Sequence, residues 1–295
     1  MVFLLQLLVT GFAQGMVYAL IALGFVIVLK CSQAFNVAQG QFVMIGGYLG
    51  YTLLSTFHLP VWLCLLVAVT VAIIMGLLVE RFVVRRMVGK PVLAIIMVTM
   101  GLATLLDGAA VFGWGSQYLT YHGLLPTINL RLGEISVPPE TLIAILVSIV
   151  AVVILMLFFR YTRTGLAMRA TAEDEQVVQV AGIKVTTVYA ISWVIAWVVG
   201  VIGGILLGGQ GGVTIQMENV GLKALAVVLL GGIDSIEGAV VAGIILGVLE
   251  NIAAGYLDPL LPAGGLATVF PFIVMIVVLV FRPYGLFGLK RIERI

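Results

Sequence analysis

Charge is what this sequence lacks. Asp, Glu, Lys and Arg make up only 9% of its 295 residues, where soluble domains carry about a quarter. So few ionised groups cannot coat a water-exposed surface. With 62% hydrophobic residues and a mean hydropathy of +1.25, the chain reads as an integral membrane protein. A net charge of +2 gives no basis for nucleic-acid binding. Cysteine is nearly absent, and Cys31 and Cys64 are too few for a disulfide framework. The two histidines, His58 and His122, fall in expected outer loops with no Cys or carboxylate cluster beside them, so no metal site is expected. No phosphate-cradling G-x-x-x-x-G-K-[ST] occurs, since Gly89-Lys90 is followed by proline and lacks the preceding glycine. No Gly-x-Ser-x-Gly elbow or His-Glu-x-x-His appears either, and no catalytic residue is assigned. The N-terminus lacks the basic start of a signal peptide, the first cation being Lys30, so the opening run is expected to be a retained helix.

What is present is a succession of apolar runs, at about 8–29, 40–57, 61–79, 92–113, 140–159, 187–208, 222–233, 237–257 and 266–281. A spanning helix takes roughly 20 such residues. The expectation is an all-α polytopic membrane protein of eight to nine segments, one of them short or broken, forming a single domain over residues 1–295. The seventh run is the short one. Orientation follows from cations in the loops. With the Lys30 end, the 81–90 and 160–184 loops and the tail from Arg282 in the cytoplasm, 13 of 15 Lys and Arg lie inside, leaving Arg131 and Lys223 outside. That places the N-terminus outside and the C-terminus inside.

Interrupted helices at matching positions of a duplicated sequence mark binding regions in many transporters. Asn36-Val-Ala-Gln39-Gly40 compares with Asp234-Ser235-Ile-Glu237-Gly238. Each follows an apolar run, precedes a glycine-spaced one, and is succeeded by a proline turn (Pro60; Pro259 and Pro262) and a third run ending in cations. Two parallel three-helix repeats, 8–86 and 222–291, are therefore expected. Two readings of the breaks stay open. Either Asn36, Gln39, Gly40, Asp234, Ser235, Glu237 and Gly238 border a conduit, or both breaks are solvated turns at the cytoplasmic surface. Asp107, deep in the fourth run, is a further candidate for the path, and Glu250 is similar. Neither has an evident Lys or Arg partner. Glycines at 200, 203, 204, 208, 209, 211, 212, 243 and 247 should permit close helix packing, a hinge or a loose outer gate being the other readings.

The most polar stretch runs from Thr164 to Lys184. Thr171 is placed to cap a short helix ending at Gly182, with Glu173 to Glu175 in its first turn and Val177, Val178 and Val180 as an apolar side. Such a helix would make either a rigid cytoplasmic knob or an amphipathic helix lying on the membrane.

Three stretches together resemble the permease subunits of Liv-type ABC importers for branched-chain amino acids. They are Phe35-Asn36-x-Ala38-x-Gly40-x-Phe42-x-Met44-Ile45-Gly46-x-Tyr48, then Arg169-Ala-Thr-Ala172-Glu173-Asp174 through Ala181-Gly182-Ile183, and Leu222-Lys-Ala followed by Leu230-Gly231-Gly232-Ile233-x-Ser235-x-x-Gly238-Ala239 and Glu250. The length suits the shorter permease of the pair. Gln39 and Gln41 stand where that family commonly has histidine and an acid, and Asp234 and Glu237 where it has glycine and proline, which bears on the substrate. The resemblance implies an importer of branched-chain or related small amino acids at a bacterial-type inner membrane. It implies as partners a second permease, two cytoplasmic ATPases that bind ATP and magnesium, and an extracytoplasmic binding protein; this chain would hold no cofactor. It further implies that the 171–182 helix docks on an ATPase through Arg169, Ala172, Glu173, Asp174 and Gly182. An ATP-independent secondary transporter or channel is the alternative.

Overall fold

The computed structural model describes residues 2–87, 89–121, 130–132, 135–260 and 265–288. His122, Pro262, Lys290 and Arg291, on which parts of the sequence reading rest, lie outside the described residues. Helices form at every apolar run: α1 Val2–Ser32, α2 Gln39–Tyr51, α3 Val61–Phe82, α4 Val92–Trp114, α5 Pro139–Tyr161, α8 Val185–Gly211, α9 Val220–Gly231, α10 Ile236–Ile252 and α11 Leu266–Phe281. Two short helices, α6 Arg163–Glu173 and α7 Glu175–Val180, occupy the polar stretch between α5 and α8. The connection before α5 adds a small antiparallel hairpin, β1 Leu130–Leu132 with β2 Ile135–Val137. Among the described residues six helical stretches are long and apolar enough to cross a membrane, and α2, α9 and α11 are shorter apolar helices.

Apolar residues distributed all round a helix let it sit inside a bundle, and α1 does so: from Gly15 to Val28 every residue is buried. Helices α3, α4 and α5 are equally apolar yet keep most of their surface uncovered, as helices facing lipid do. The centre is closed by small residues. In α1, Gly11 and Gly15 recur at the spacing of Gly243 and Gly247 in α10. A Cβ on Gly15 would lie 2.7 Å from the Gly243 carbonyl, and one on Gly243 2.8 Å from the Ala19 Cα. Backbones can meet this closely only where side chains are missing, which gives dispersion contact without a hydrophobic driving force. Gly200 and Gly204 of α8 pack in the same way on Phe42 and on the Val43 carbonyl of α2, where Phe42 stacks on Trp197 at 4.0 Å.

The element order of the two proposed repeats agrees. In both, a helix breaks (after α1; after α9), a second helix ends in a π-helical turn (Thr52–Thr56; Ala253–Leu257), and a third follows a turn. The π turns are a match that the sequence comparison did not contain. Helix α9 stops at Gly232, whose φ of +104° a side chain would strain, and Ser235 restarts the chain by accepting the Gly238 N–H at 2.9 Å.

The polar stretch corrects the expected cap. Thr171 lies inside α6, its hydroxyl donating to the Ala167 carbonyl at 2.8 Å. Asp174 caps α7 instead, its carboxylate accepting from the Gln176 and Val177 N–H groups at 2.8 and 3.1 Å. A carboxylate in extended backbone takes two orphan donors with charge assistance, which a hydroxyl committed to its own helix cannot. One helix becomes two, and Glu173 closes α6 rather than opening α7. The expected stop at Gly182 is found. Its N–H donates to Gln179 and that of Ile183 to Val178, with φ +83° at the glycine, a Schellman ending. Of the valines, only Val178 turns inward, against Val185 and Tyr189; Val177 and Val180 are 64% and 91% exposed.

Candidate translocation site

The break between α1 and α2 is the centre of the candidate site. Chain leaving a helix exposes N–H and C=O groups that lipid cannot satisfy. Here protein satisfies several of them. Asn36 accepts the Ala38 N–H at 3.2 Å and donates to Gln39 Oε1 at 3.0 Å, and Gln39 Nε2 donates to the Ala196 carbonyl of α8 at 3.1 Å. From α4, the Thr99 hydroxyl lies 3.2 Å from the Phe35 carbonyl and accepts from Val37 N–H at 3.4 Å. Asn36 and Gln39 are buried, which removes the solvated-turn reading for this break. Gly40 then lets the start of α2 press on the Glu218 carbonyl and on Gly221, with no room for a side chain.

The second break is closed differently. The tail beyond α11 donates Leu286 and Phe287 N–H to the Leu230 and Gly231 carbonyls at 2.8 and 3.0 Å, and Lys30 Nζ donates to the Asp234 carbonyl at 2.9 Å. Lys30 therefore ties the end of α1 to the turn before α10. Asp234 and Ser235 are half-buried, Gly238 is buried and Glu237 is exposed. Glu237 lines an open cavity of about 490 Å3 with Lys30, Arg160 and Arg169. It does not line the cavity beside Asn36. Of the coupling candidates, Ala172 and Arg169 are half-buried, while Glu173, Asp174 and Gly182 are exposed.

Beside the first break lies a cavity of about 250 Å3, walled by Phe25, Phe35, Val37, Leu222 and Leu225, with Gln41, Glu218 and Asn219 as the polar side chains on its lining. Gln41 Nε2 donates to Glu218 Oε2 at 2.9 Å and to Asp107 Oδ2 at 3.3 Å. One amide thus bridges two carboxyl groups, from α4 and from the 3-10 turn Ile215–Asn219 that precedes α9. Burial raises the pKa of the Glu218 carboxyl, which lies outside the spanning helices, and the neighbouring Asp107 raises it further. Sequence reading singled out Asp107 but missed Gln41 and Glu218 as its companions. Their signal was faint: an amide near the break and an acid between two apolar runs, 177 positions apart.

A second polar group corrects the sequence reading of Glu250. It does have a cation: Lys223 Nζ lies 2.6 Å from Glu250 Oε1, with the two side chains 15% and 8% exposed. Lys223 also donates to Tyr18 at 3.4 Å, which accepts from Gln14 at 2.6 Å, and Gln14 accepts from Asn251 at 2.6 Å. Lys223 is accordingly a largely buried helix residue and not the solvated loop cation that charge counting makes of it. Low dielectric forces such a group to find a partner.

A bundle of apolar helices with glycine-closed crossings, a break braced by buried side chains and a partly polar cavity beside it defines a multi-pass membrane protein with a candidate path. Comparison with known proteins makes the class particular. Residues 7–279 match the family model described as branched-chain amino acid transport system / permease component, and the chain belongs to that family. It is 33% identical to the high-affinity branched-chain amino acid transport system permease protein BraD of Pseudomonas aeruginosa, over 99% of this chain and 98% of that one. It is 28% identical to the corresponding LivH of Escherichia coli strain K12 over the same shares. The probable branched-chain amino acid transport permease LivH of Methanocaldococcus jannaschii is 28% identical over 94% of this chain and 90% of its own. Among solved structures, PsaBC from Streptococcus pneumoniae in complex with Fab is similar with a TM-score of 0.52 over 94% of this chain and 91% of that chain. At 15% identity that likeness concerns the fold alone.

Proposed function

We propose that this chain, as one transmembrane domain over residues 1–295, is the shorter permease of a heteromeric ATP-driven importer. It moves branched-chain or related small amino acids inward across a bacterial-type inner membrane. A second permease stands beside it, two cytoplasmic ATPases bind ATP and magnesium, and an extracytoplasmic binding protein delivers the substrate. The N-terminus is outside and the C-terminus inside. The path runs past the first break, with Asn36, Gln39, Gly40 and Asp107 in its wall and Asp234, Ser235, Glu237 and Gly238 at the second break as parts of its gate.

The observation that carries this reading is the cavity beside the first break, apolar on most sides and polar at Gln41, Glu218 and Asn219, in a chain of this family. Coupling rests on α6 and α7. Val177 and Val180 stand uncovered on α7, next to exposed Glu173, Asp174 and Gly182, while Val178 anchors the element to α8. A rigid capped element with an uncovered apolar edge suits docking into a groove of an ATPase. ATP-driven closure of the ATPases would reach the path through it, with Arg169 and Ala172 at its base.

Affinity purification of the tagged chain from its native membrane tests the assembly. ATPase subunits and a second permease should co-purify, and the reconstituted complex should take up leucine only with ATP and the binding protein. Leucine uptake by the chain alone, driven by an ion gradient, would overturn the reading in favour of a secondary transporter.

A further inference from the structure

Gln41 and Glu218 form the polar corner of the 250 Å3 cavity, and Asp107 is hydrogen-bonded to Gln41 off the lining. Gln41 is 8% exposed and spends both bonds of its amide nitrogen on Glu218 and Asp107. Its carbonyl Oε1, which that choice leaves over, is buried without a partner among the described residues, and so is Asp107 Oδ1. A buried acceptor with no donor costs about 1–3 kcal/mol. Two carboxyl groups held on one amide also repel one another when both are ionised. A cation carrying several N–H donors answers both deficits. The rest of the wall is apolar at Phe25, Phe35, Val37, Leu222 and Leu225, with the exposed Asn219 as its one further polar side chain. A cavity of about 250 Å3 has room for a small molecule. The nearby ammonium of Lys223 is committed to Glu250 and Tyr18.

We propose that Gln41 and Glu218, with Asp107 hydrogen-bonded to Gln41 from outside the lining, form the ammonium-binding corner of the translocation cavity, holding the α-ammonium group of an apolar amino acid while Phe35, Leu222 and Leu225 receive its side chain. The ammonium group has three N–H donors. Gln41 Oε1 and the two Glu218 carboxylate oxygens supply three acceptors, and a positive charge beside Glu218 offsets its repulsion with the Asp107 carboxyl group. Selectivity for apolar amino acids is then exerted in the membrane as well as at delivery. This proposal rests on the reading of the cavity as part of the path.

The test uses the purified, assembled importer in lipid nanodiscs without its binding protein, with radiolabelled leucine as the probe. Saturable leucine binding should be competed by 3-methylbutylamine, which keeps the ammonium group and loses the carboxylate. It should not be competed by 4-methylpentanoate, which keeps the carboxylate and loses the ammonium group. Glu218→Gln and Asp107→Asn, which retain shape, should each weaken leucine binding at least tenfold. The competition pattern is read on the unaltered protein, so a variant that fails to fold leaves the test intact. Equal competition by 4-methylpentanoate would overturn the proposal, as would wild-type affinity in the Glu218→Gln, Asp107→Asn double variant. So would sodium-dependent leucine binding that 3-methylbutylamine leaves untouched, which would assign the carboxylates to an inorganic cation. Absence of leucine binding in a complex that takes up leucine also defeats it. A complex that takes up no leucine even with ATP and binding protein instead refutes the reading of function on which the proposal rests.

Discussion

At the residue scale the informative groups are the polar ones that apolar surroundings compel to pair. Lys223 and Glu250 face each other at 2.6 Å with little solvent. Removing one partner strands the other, a change that costs about 3–5 kcal/mol for a buried pair, whereas replacing both by apolar groups of like size is close to neutral. Glu250→Gln should therefore lower the detergent-solubilised melting temperature clearly, and Lys223→Met combined with Glu250→Leu should recover most of the loss. A double variant no more stable than the worse single one would show that the pair does not act as a unit. The sequence displayed both charges but not their contact. A cation three residues into a 12-residue helix is indistinguishable, in a count of loop charges, from one just outside it. The same blindness hid Gln41 and Glu218 beside Asp107.

At the element scale, the close crossing of α1 and α10 depends on missing side chains. A Cβ at Gly11 would come 2.8 Å from the Val248 Cα, and Gly247 meets Gly15 closer still. Gly15→Leu or Gly247→Leu should force the helices apart and cost several times the roughly 1–3 kcal/mol of ordinary overpacking, because backbone and not a movable side chain is struck. Reduced yield of assembled complex on size-exclusion chromatography is the measurement. Full yield from Gly247→Leu would contradict the geometry. At the end of α6, just before α7, the expected effect is on coupling and not on folding. The double variant Ala172→Trp, Glu173→Lys should insert at normal level yet lose leucine uptake and substrate-stimulated ATP hydrolysis by more than tenfold. Normal uptake would remove α6 and α7 from the coupling role. Here the sequence announced a capped polar element with a glycine stop but misplaced the cap. Thr171 and Asp174 are both good capping residues, and only the chain's turn after Glu173 chose between them.

At the scale of the whole molecule, topology is the first thing to test. Phe3→Cys and Phe287→Cys, at exposed positions near the two ends, should be labelled by a membrane-impermeant thiol reagent from outside and from inside respectively. Labelling of Phe287→Cys in intact cells would reverse the orientation. The membrane class, the positions of the apolar helices and the break at Asn36 to Gly40 were determined by the sequence alone. Each is set by local hydropathy or by a few adjacent residues, since lipid demands long apolar helices whatever their neighbours. What only the tertiary structure decided is where the breaks' polar groups find partners. Gln39 reaches the α8 backbone, Lys30 the turn at Asp234, and the tail after α11 the last carbonyls of α9. It also decided that one cavity gathers Gln41 and Glu218, with Asp107 hydrogen-bonded to Gln41. These pairings span up to 204 positions, and apolar helices pack through glycine contacts and dispersion with no charge or pattern along the chain to specify which faces meet. Register and partner are therefore properties of the assembled bundle.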